Sequence, residues 1–544
     1  MKRVTKIVHV NHLPFLWREL APNLFHGLGR DILACALFSL LFGEGWGGAL
    51  KAQGKPDSCE ITITNAGSAI NTPFDEFAPV ISADGLMMIF TSNHPVTKTD
   101  IKKNKQGLEN IYVSYYNDTT KKWTEATLLG KSVNQPRRNN SATALSNDGQ
   151  RMLLYRGDPD GDIYESDLKG EEWSKPVKLP EPINSSKYES SASISPDGQT
   201  IYFVSNRKGG KGGLDIWLCH KDNNGNWGIA ENLGATINTS KNEECVFIHP
   251  DGKTLYFSSN GHNTTGGYDV FKSVFENGSW SEPVNMGAPI NSPNDDLFFV
   301  LTADGKKGYY ATSSQENSKK DIYEITFNYL EKKKTQSRLT LFKGVVIDYD
   351  SFEPVGAEIK ITDNDKNETI TTIKSNSITG KFLVSLPAGK NYGIAVKKEG
   401  YLFYSENFNI PDTATYKIID KHIPLQKLEI GSKIILKNVF YDYGKATLRS
   451  ESISELNQLV NLMNTNTSMK IEVDGFTDNQ GSDEFNLSLS QARAQSVVDF
   501  LFSAGISKEQ VKAKGYGKAN PIAPNDTEEG RQLNRRTEFK ILNK

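Results

Sequence analysis

The 544-residue sequence predicts a multidomain chain, all-β from about residue 59 to about 428 and α/β from 434 to the end. Three observations carry this. An Asp-Gly turn followed by an aromatic or aliphatic strand recurs five times with a period of about 50 residues. A stretch of alternating apolar and polar residues comes next. The last hundred or so residues change to strand, loop and helix. Charge is nearly balanced, 63 basic against 65 acidic residues, which argues against a nucleic-acid partner. Aromatics at 10% with 45 glycines fit a turn-rich β protein.

Residues 1–54 read as an export segment. The apolar run at 32–42 follows Arg18 and Arg30; it is too short to span a bilayer and suits a signal-peptide core. Small residues around 49–54 suit cleavage. Cys35 begins the apolar run, whereas a lipidated cysteine follows one, so soluble export is the expectation.

The repeat occupies 59–328. Asp-Gly falls at 84–85, 148–149, 197–198, 251–252 and 304–305. An Asn/Asp-hydrophobic-aromatic mark starts at 110, 162, 215, 269 and 321, intervals of 52, 53, 54 and 52. Ile-Asn-Thr/Ser recurs at 70–72, 183–185, 237–239 and 290–292, and Trp123, Trp173, Trp227 and Trp280 complete the pattern. Asp-Gly between short strands is a two-residue hairpin signal, so each period reads as a small antiparallel sheet. Such sheets bury their faces when arranged radially, as a β-propeller of five blades, with six as the alternative and residues 59–64 as a closing strand. Ser195-Pro-Asp-Gly-Gln-Thr-Ile-Tyr-Phe203 and His249-Pro-Asp-Gly-Lys-Thr-Leu-Tyr-Phe257 resemble the TolB-type propeller repeat.

No Gly-x-Ser-x-Gly elbow or His-Glu-x-x-His occurs, and the eight histidines are scattered. Gly209-Gly-Lys-Gly-Gly213 reads as a blade loop before an anion cradle, and 158–162 as a loop before a calcium site. Cys219 and Cys245 read as buried thiols, with a disulfide as the alternative. No enzyme activity, metal or cofactor is expected, and the propeller reads as a protein-binding platform.

A polar hinge at 330–338 precedes strands expected at 340–347, 357–362, 369–374, 382–386 and 392–397. Gly344-Val-Val-Ile-Asp348, Pro354-Val-Gly-Ala-Glu-Ile359, Thr379-Gly-Lys-Phe382 and Gly400-Tyr401 resemble the carboxypeptidase-regulatory-like domain. The resemblance implies a β-sandwich over 339–428, a spacer or interaction module.

In the last domain Met469, Ile471 and Val473 alternate with polar residues as a strand, broken at Gly475. A loop carries Asp478. A helix is expected to begin near Ser488 or Ser490, with Arg493 in its first turns and Gly505 at its C-terminal end. An earlier helix is expected at 450–463. Gly475-Phe-Thr-Asp478, Asn486, Leu489-Ser-x-x-Arg-Ala494, Gly515-Tyr-Gly517, Asn520-Pro-Ile-Ala523 and Gly530-Arg-x-x-Asn-Arg-Arg-x-Glu538 resemble the peptidoglycan-binding domain of OmpA-like proteins over 434–544. That resemblance implies that Asp478 and Arg493 grip the diaminopimelate of the stem peptide, supported by Asp442, Thr477, Asn486 and Arg535. The chemistry suits a zwitterion, which needs a carboxylate for its ammonium and a guanidinium fork for its carboxylate. Phe476 stands where that family usually has histidine. Arg531, Arg535 and Arg536 are open between ligand contact and ion pairs that hold helix to sheet.

The order of modules resembles PorE-like envelope proteins without their leading helical repeats. It implies a non-catalytic periplasmic protein, associated with outer membrane and cell wall, that links peptidoglycan to an outer-membrane or periplasmic complex such as type IX secretion or gliding machinery. The alternatives are a purely structural envelope-stability protein and a propeller enzyme with an unrecognised active site.

Overall fold

The computed structural model describes residues 59–96, 107–157, 161–222, 224–313, 319–329 and 337–544, with a two-residue strand at Val4–Thr5. The apolar run of the export segment with Cys35, residues 158–160 and hinge residues 330–336 lie outside the described residues.

Five antiparallel sheets are built in chain order. Their first strands are Glu76–Ile81, Asn140–Leu145, Glu189–Ile194, Glu243–Ile248 and Asp296–Leu301. Each first strand packs against the next sheet's, and the fifth against the first, so the sheets close a ring. Cys59–Asn65 pairs antiparallel along Lys320–Tyr329, so a strand from before the first sheet completes the last one.

The Asp-Gly connections are wider than the two residues expected. Gly85 donates to Ser82 O at 2.8 Å and Ser82 to Met87 O at 2.9 Å, so five residues separate Ile81 from Met87. The reason lies in the aspartate. Its carboxylate accepts a backbone N–H two residues on, as Asp148 does from Gln150 at 3.1 Å and Asp304 from Lys306 at 3.0 Å. The glycine meanwhile takes a left-handed φ, 72° at Gly85 and 69–70° in the other four turns.

The Ile-Asn mark has a structural purpose. Asn184 Nδ2 donates to Ile163 O at 2.8 Å while its Oδ1 accepts from Ile163 N at 2.8 Å, which clamps the preceding sheet's third strand. Asn238 does the same to Ile216, Asn291 to Val270 and Asn71 to Ile322. Asn134 clamps Ile111 likewise, a fifth copy hidden in sequence because Val133 and Gln135 flank it. The Gly209–Gly213 loop turns N–H groups inward: Gly212 N donates to Asp215 Oδ1 at 2.9 Å, and Lys211 N donates to Asp215 Oδ2. Cys219 and Cys245 are buried free thiols.

Two further sheets, one of three strands and one of four, share a core of Phe342, Val346, Ile359, Ile361, Phe382 and Tyr392. Strands Tyr404–Ile410 and Lys417–Leu425 were not expected from sequence. The latter runs parallel to Leu339–Asp348, where a Cβ on Gly344 would lie 1.7 Å from Lys421 O. This pair of sheets seats on the Asp-Gly end of the ring. Lys343 pairs with Asp84 at 3.0 Å, Thr371 donates to Asp197 O at 2.9 Å and Asn376 to Gly170 O at 2.8 Å.

The C-terminal region is one four-stranded mixed sheet with helices: β1 (Lys433–Ile435), α1 (Ile453–Thr465), β2 (Lys470–Gly475), α2 (Asp483–Ser503), β3 (Val511–Gly515), α3 (Glu528–Asn534) and β4 (Thr537–Asn543). Strand order is β1-β4-β2-β3, with β2 and β3 parallel. Leu456, Leu459, Met463, Ile471, Val473, Val497, Leu501 and Phe539 form its core, which continues without a break into Leu402, Phe403 and Leu428 in the segments flanking the preceding strands.

A buried polar knot sits beside that shared core. Asn438 Nδ2 donates to Ser405 at 3.0 Å, Glu406 O at 3.0 Å and Glu455 at 3.2 Å, and its Oδ1 accepts from Asn364 at 2.9 Å and Asn407 at 3.0 Å. Glu455 is 3% exposed, and burial raises its pKa from 4.5 to about 7. A raised folded pKa means stability is fully present below about 4.5 and falls as pH rises through about 7. The loss attributable to Glu455 is about 3 kcal/mol. Urea unfolding of wild type and Glu455→Gln from pH 4 to 8 measures it: the difference between the two curves should grow with pH to that size, and a constant difference would exclude a protonated Glu455.

Candidate functional site

Helix α2 carries the site, and two glycines let it do so. A Cβ on Gly475 would lie 2.2 Å from Ser490 O, and one on Gly515 would lie 2.4 Å from Gln491 N. The helix thus rests directly on the ends of β2 and β3. Its start differs from the sequence expectation. Ser482 caps it, accepting from Phe485 N at 3.2 Å, and Asp483 and Glu484 sit in the first turn, where the helix dipole favours them. Phe485 and Leu487 are exposed, so the apolar stripe begins only after the true start. Arg493 consequently lies mid-helix, not in the first turns.

After Gly475 the chain is pinned by Phe476 N to Arg536 O at 3.0 Å and Thr477 N to Gly517 O at 2.9 Å. Thr477 Oγ1 donates to Asp478 O at 2.9 Å, and Asn486 Nδ2 donates to Gln480 O at 2.9 Å. These two residues are buried and shape the loop that presents Asp478. Asp442 is half-exposed and 3.5 Å from Lys445 Nζ. Its loop matters through backbone: Lys445 O accepts from Arg493 Nε at 3.0 Å, and Ala446 O accepts from Ser496 at 2.6 Å.

Asp478 and Arg493 are each 8% exposed, but they are not paired with each other. Asp478 Oδ2 pairs with Arg535 Nη1 at 2.6 Å, and its Oδ1 accepts from Gln480 N at 3.0 Å. Arg535 Nη2 reaches Glu528 at 2.6 Å and also donates to Gln532. Burial alone would lower the proton affinity of Arg535, but Glu528 and Asp478 outweigh it and raise it. Arg493 is shifted the other way, chiefly by burial; Tyr441 and Asp478 offset this and Arg535 adds to it. Its guanidinium lies 4.9 Å from the Tyr441 ring centre and, among the described residues, has no carboxylate within ion-pair distance. It remains charged at neutral pH.

The other two arginines are engaged in ion pairs within the domain. Arg531 pairs with Glu528 at 2.8 Å and donates to Asn525 O at 3.0 Å. Arg536 pairs with Glu538 at 2.6 Å and covers the Phe476 ring at 3.8 Å, while Phe476 stacks on Tyr516 at 5.1 Å. Phe476 therefore belongs to the packing behind the site. Glu528, Tyr441 and the Lys445 carbonyl were not foreseen as site groups; the Arg531-to-Arg535 spacing after Glu528 was the available signal for the first.

The matching segment coincides with this architecture. Residues 440–535 form an OmpA family domain. The domain is similar to outer membrane protein A of Bordetella avium, 37% identical over 114 residues, 21% of this chain and 59% of that protein. It is similar also to outer membrane protein P5 of Haemophilus influenzae, 40% identical over 96 residues, 17% of this chain and 27% of that protein. Across the first curated relatives the chain spans between 13% and 59% of their length. Among solved structures, the peptidoglycan-associated lipoprotein from Burkholderia pseudomallei is 28% identical, with 19% of this chain and 87% of that chain covered and a TM-score of 0.18. No described helix is long and apolar enough to cross a membrane.

The close seating of α2 makes Gly475→Ala costly. The OmpA family domain should lose about 2 kcal/mol through overpacking against Ser490 O. Thermal unfolding reads this directly; an unchanged Tm would show that the helix yields without cost.

Proposed function

We propose that the chain is a non-catalytic envelope protein. It binds peptidoglycan through its OmpA family domain and tethers an outer-membrane or periplasmic complex through its ring of sheets, which we read as a five-bladed propeller. The observation that carries the wall-binding reading is the buried Arg493 guanidinium, which forms no ion pair among the described residues, in the same site as Asp478 on a pinned loop. A buried charge held ready in this way calls for an anionic partner, and a free amino-acid terminus supplies one. The diaminopimelate end of the stem peptide has that chemistry. The match to the OmpA family and the outer-membrane relatives support the same reading.

On this reading the protein works in the periplasm, against the outer membrane and wall. The ring's Asp-Gly end is covered by the middle sheets, a carboxypeptidase-regulatory-like sandwich in our reading, so the opposite end is the face left for a partner. The order of modules supports a tether of the PorE kind, with secretion or gliding machinery as its load.

Sedimentation with purified sacculi tests the wall-binding reading. The full chain should co-sediment, and the Asp478→Ala/Arg493→Ala variant should lose binding about tenfold or more, with circular dichroism unchanged. Undiminished binding by the folded variant would remove the assigned site.

A further inference from the structure

We infer that recognition at this site is led by the ligand's carboxylate, with its ammonium in a minor role, because Arg535 already occupies Asp478 while Arg493, among the described residues, forms no ion pair with an acid. The inference rests on the reading above that the stem-peptide terminus is the ligand.

The charges around the site are unequal. Arg535 and Arg531 share the carboxylates of Asp478 and Glu528, while Arg493 makes no ion pair among the described residues. Asp442 is matched by Lys445 and leaves the balance unchanged. Arg493 is thus the guanidinium left without an ion pair, and it is the most buried of the three. An incoming carboxylate therefore gains a charge-assisted, fork-shaped contact with a group that has given up its hydration and is offset only in part, at a distance, by Asp478. An incoming ammonium meets a different situation. Asp478 already holds Arg535 at 2.6 Å and the Gln480 N–H at 3.0 Å, so the ammonium must share or displace a guanidinium that Glu528 also anchors at 2.6 Å. The pair Asp478–Arg535 thus sets the specificity: it tunes down the weight of the amine and leaves Arg493 to read the acid. Amidation of the ligand's carboxyl would remove the one charge the site lacks.

The test uses the full chain and calorimetric titration with three stem tripeptides: the unmodified one ending in meso-diaminopimelate, one amidated at the free side-chain carboxyl, and one carrying 2-aminopimelate, which keeps that carboxyl and lacks the amine. The expected result is a loss of about thirtyfold or more on amidation and less than about fivefold on removal of the amine. Equal losses, or a greater loss without the amine, would overturn the inference while leaving stem-peptide binding intact. Failure of all three to bind would instead remove the ligand reading and the inference with it. Arg535→Gln supplies the second arm: with Asp478 released, loss of the amine should cost about tenfold or more, and an unchanged amine dependence in the folded variant would overturn the role given to Arg535.

Discussion

A buried amide loses free energy unless its donors and acceptor find partners, and asparagines that close such bonds recur at the joints of this chain. In the ring, five asparagines each close on the N–H and C=O of one residue in the preceding sheet. Between the middle sheets and the C-terminal domain, Asn438 gathers Asn364, Ser405, Glu406, Asn407 and Glu455. In the OmpA family domain, Asn486 holds the Asp478 loop and Asn534 holds the 522–525 loop. Apolar contact brings these elements together but sets no register. Directional bonds made in a dry interior do, since a slip of one residue strands the amide without partners.

The same economy governs the site. Asp478, Arg535 and Glu528 form a self-contained chain of charges, and the residue excluded from it, Arg493, is held by a backbone carbonyl and an aromatic face. Those two contacts orient a guanidinium without neutralising it. On the proposed reading, that guanidinium is the group offered to an anion, since no carboxylate among the described residues pairs with it. Continuity of the core from Leu402 and Phe403 into Phe539 ties this end of the molecule to the middle sheets, which are in turn seated on the ring.

Much of this was legible in advance, and the failures have physical causes. The repeats could be read because Asp-Gly requires a left-handed glycine and the third strand needs its asparagine clamp, both local demands. The fifth clamp, at Asn134, escaped because neighbours that do not touch the amide differ there. Strand Lys417–Leu425 alternates in burial, but Lys421 takes an inward position while Ile418 and Pro424 take outward ones, which blurs the apolar pattern in sequence. The start of α2 was misread because Phe485 and Leu487 face solvent, so apolar periodicity understates the helix and only the Ser482 cap marks it.

The sequence by itself determined the kinds of element, the five-fold recurrence, the OmpA-like motifs and the identity of Asp478, Thr477, Asn486, Arg493 and Arg535 as residues of one region, because each depends on local periodicity or on ordered short motifs. Only the tertiary structure decided the partners. Asp478 and Arg535 are 57 residues apart, and Arg493 meets the Lys445 carbonyl across 48. Which guanidinium reaches the carboxylate depends on where α2 comes to rest against two glycines and on how α3 folds back. These are relations of distance in space, and no spacing along the chain encodes them.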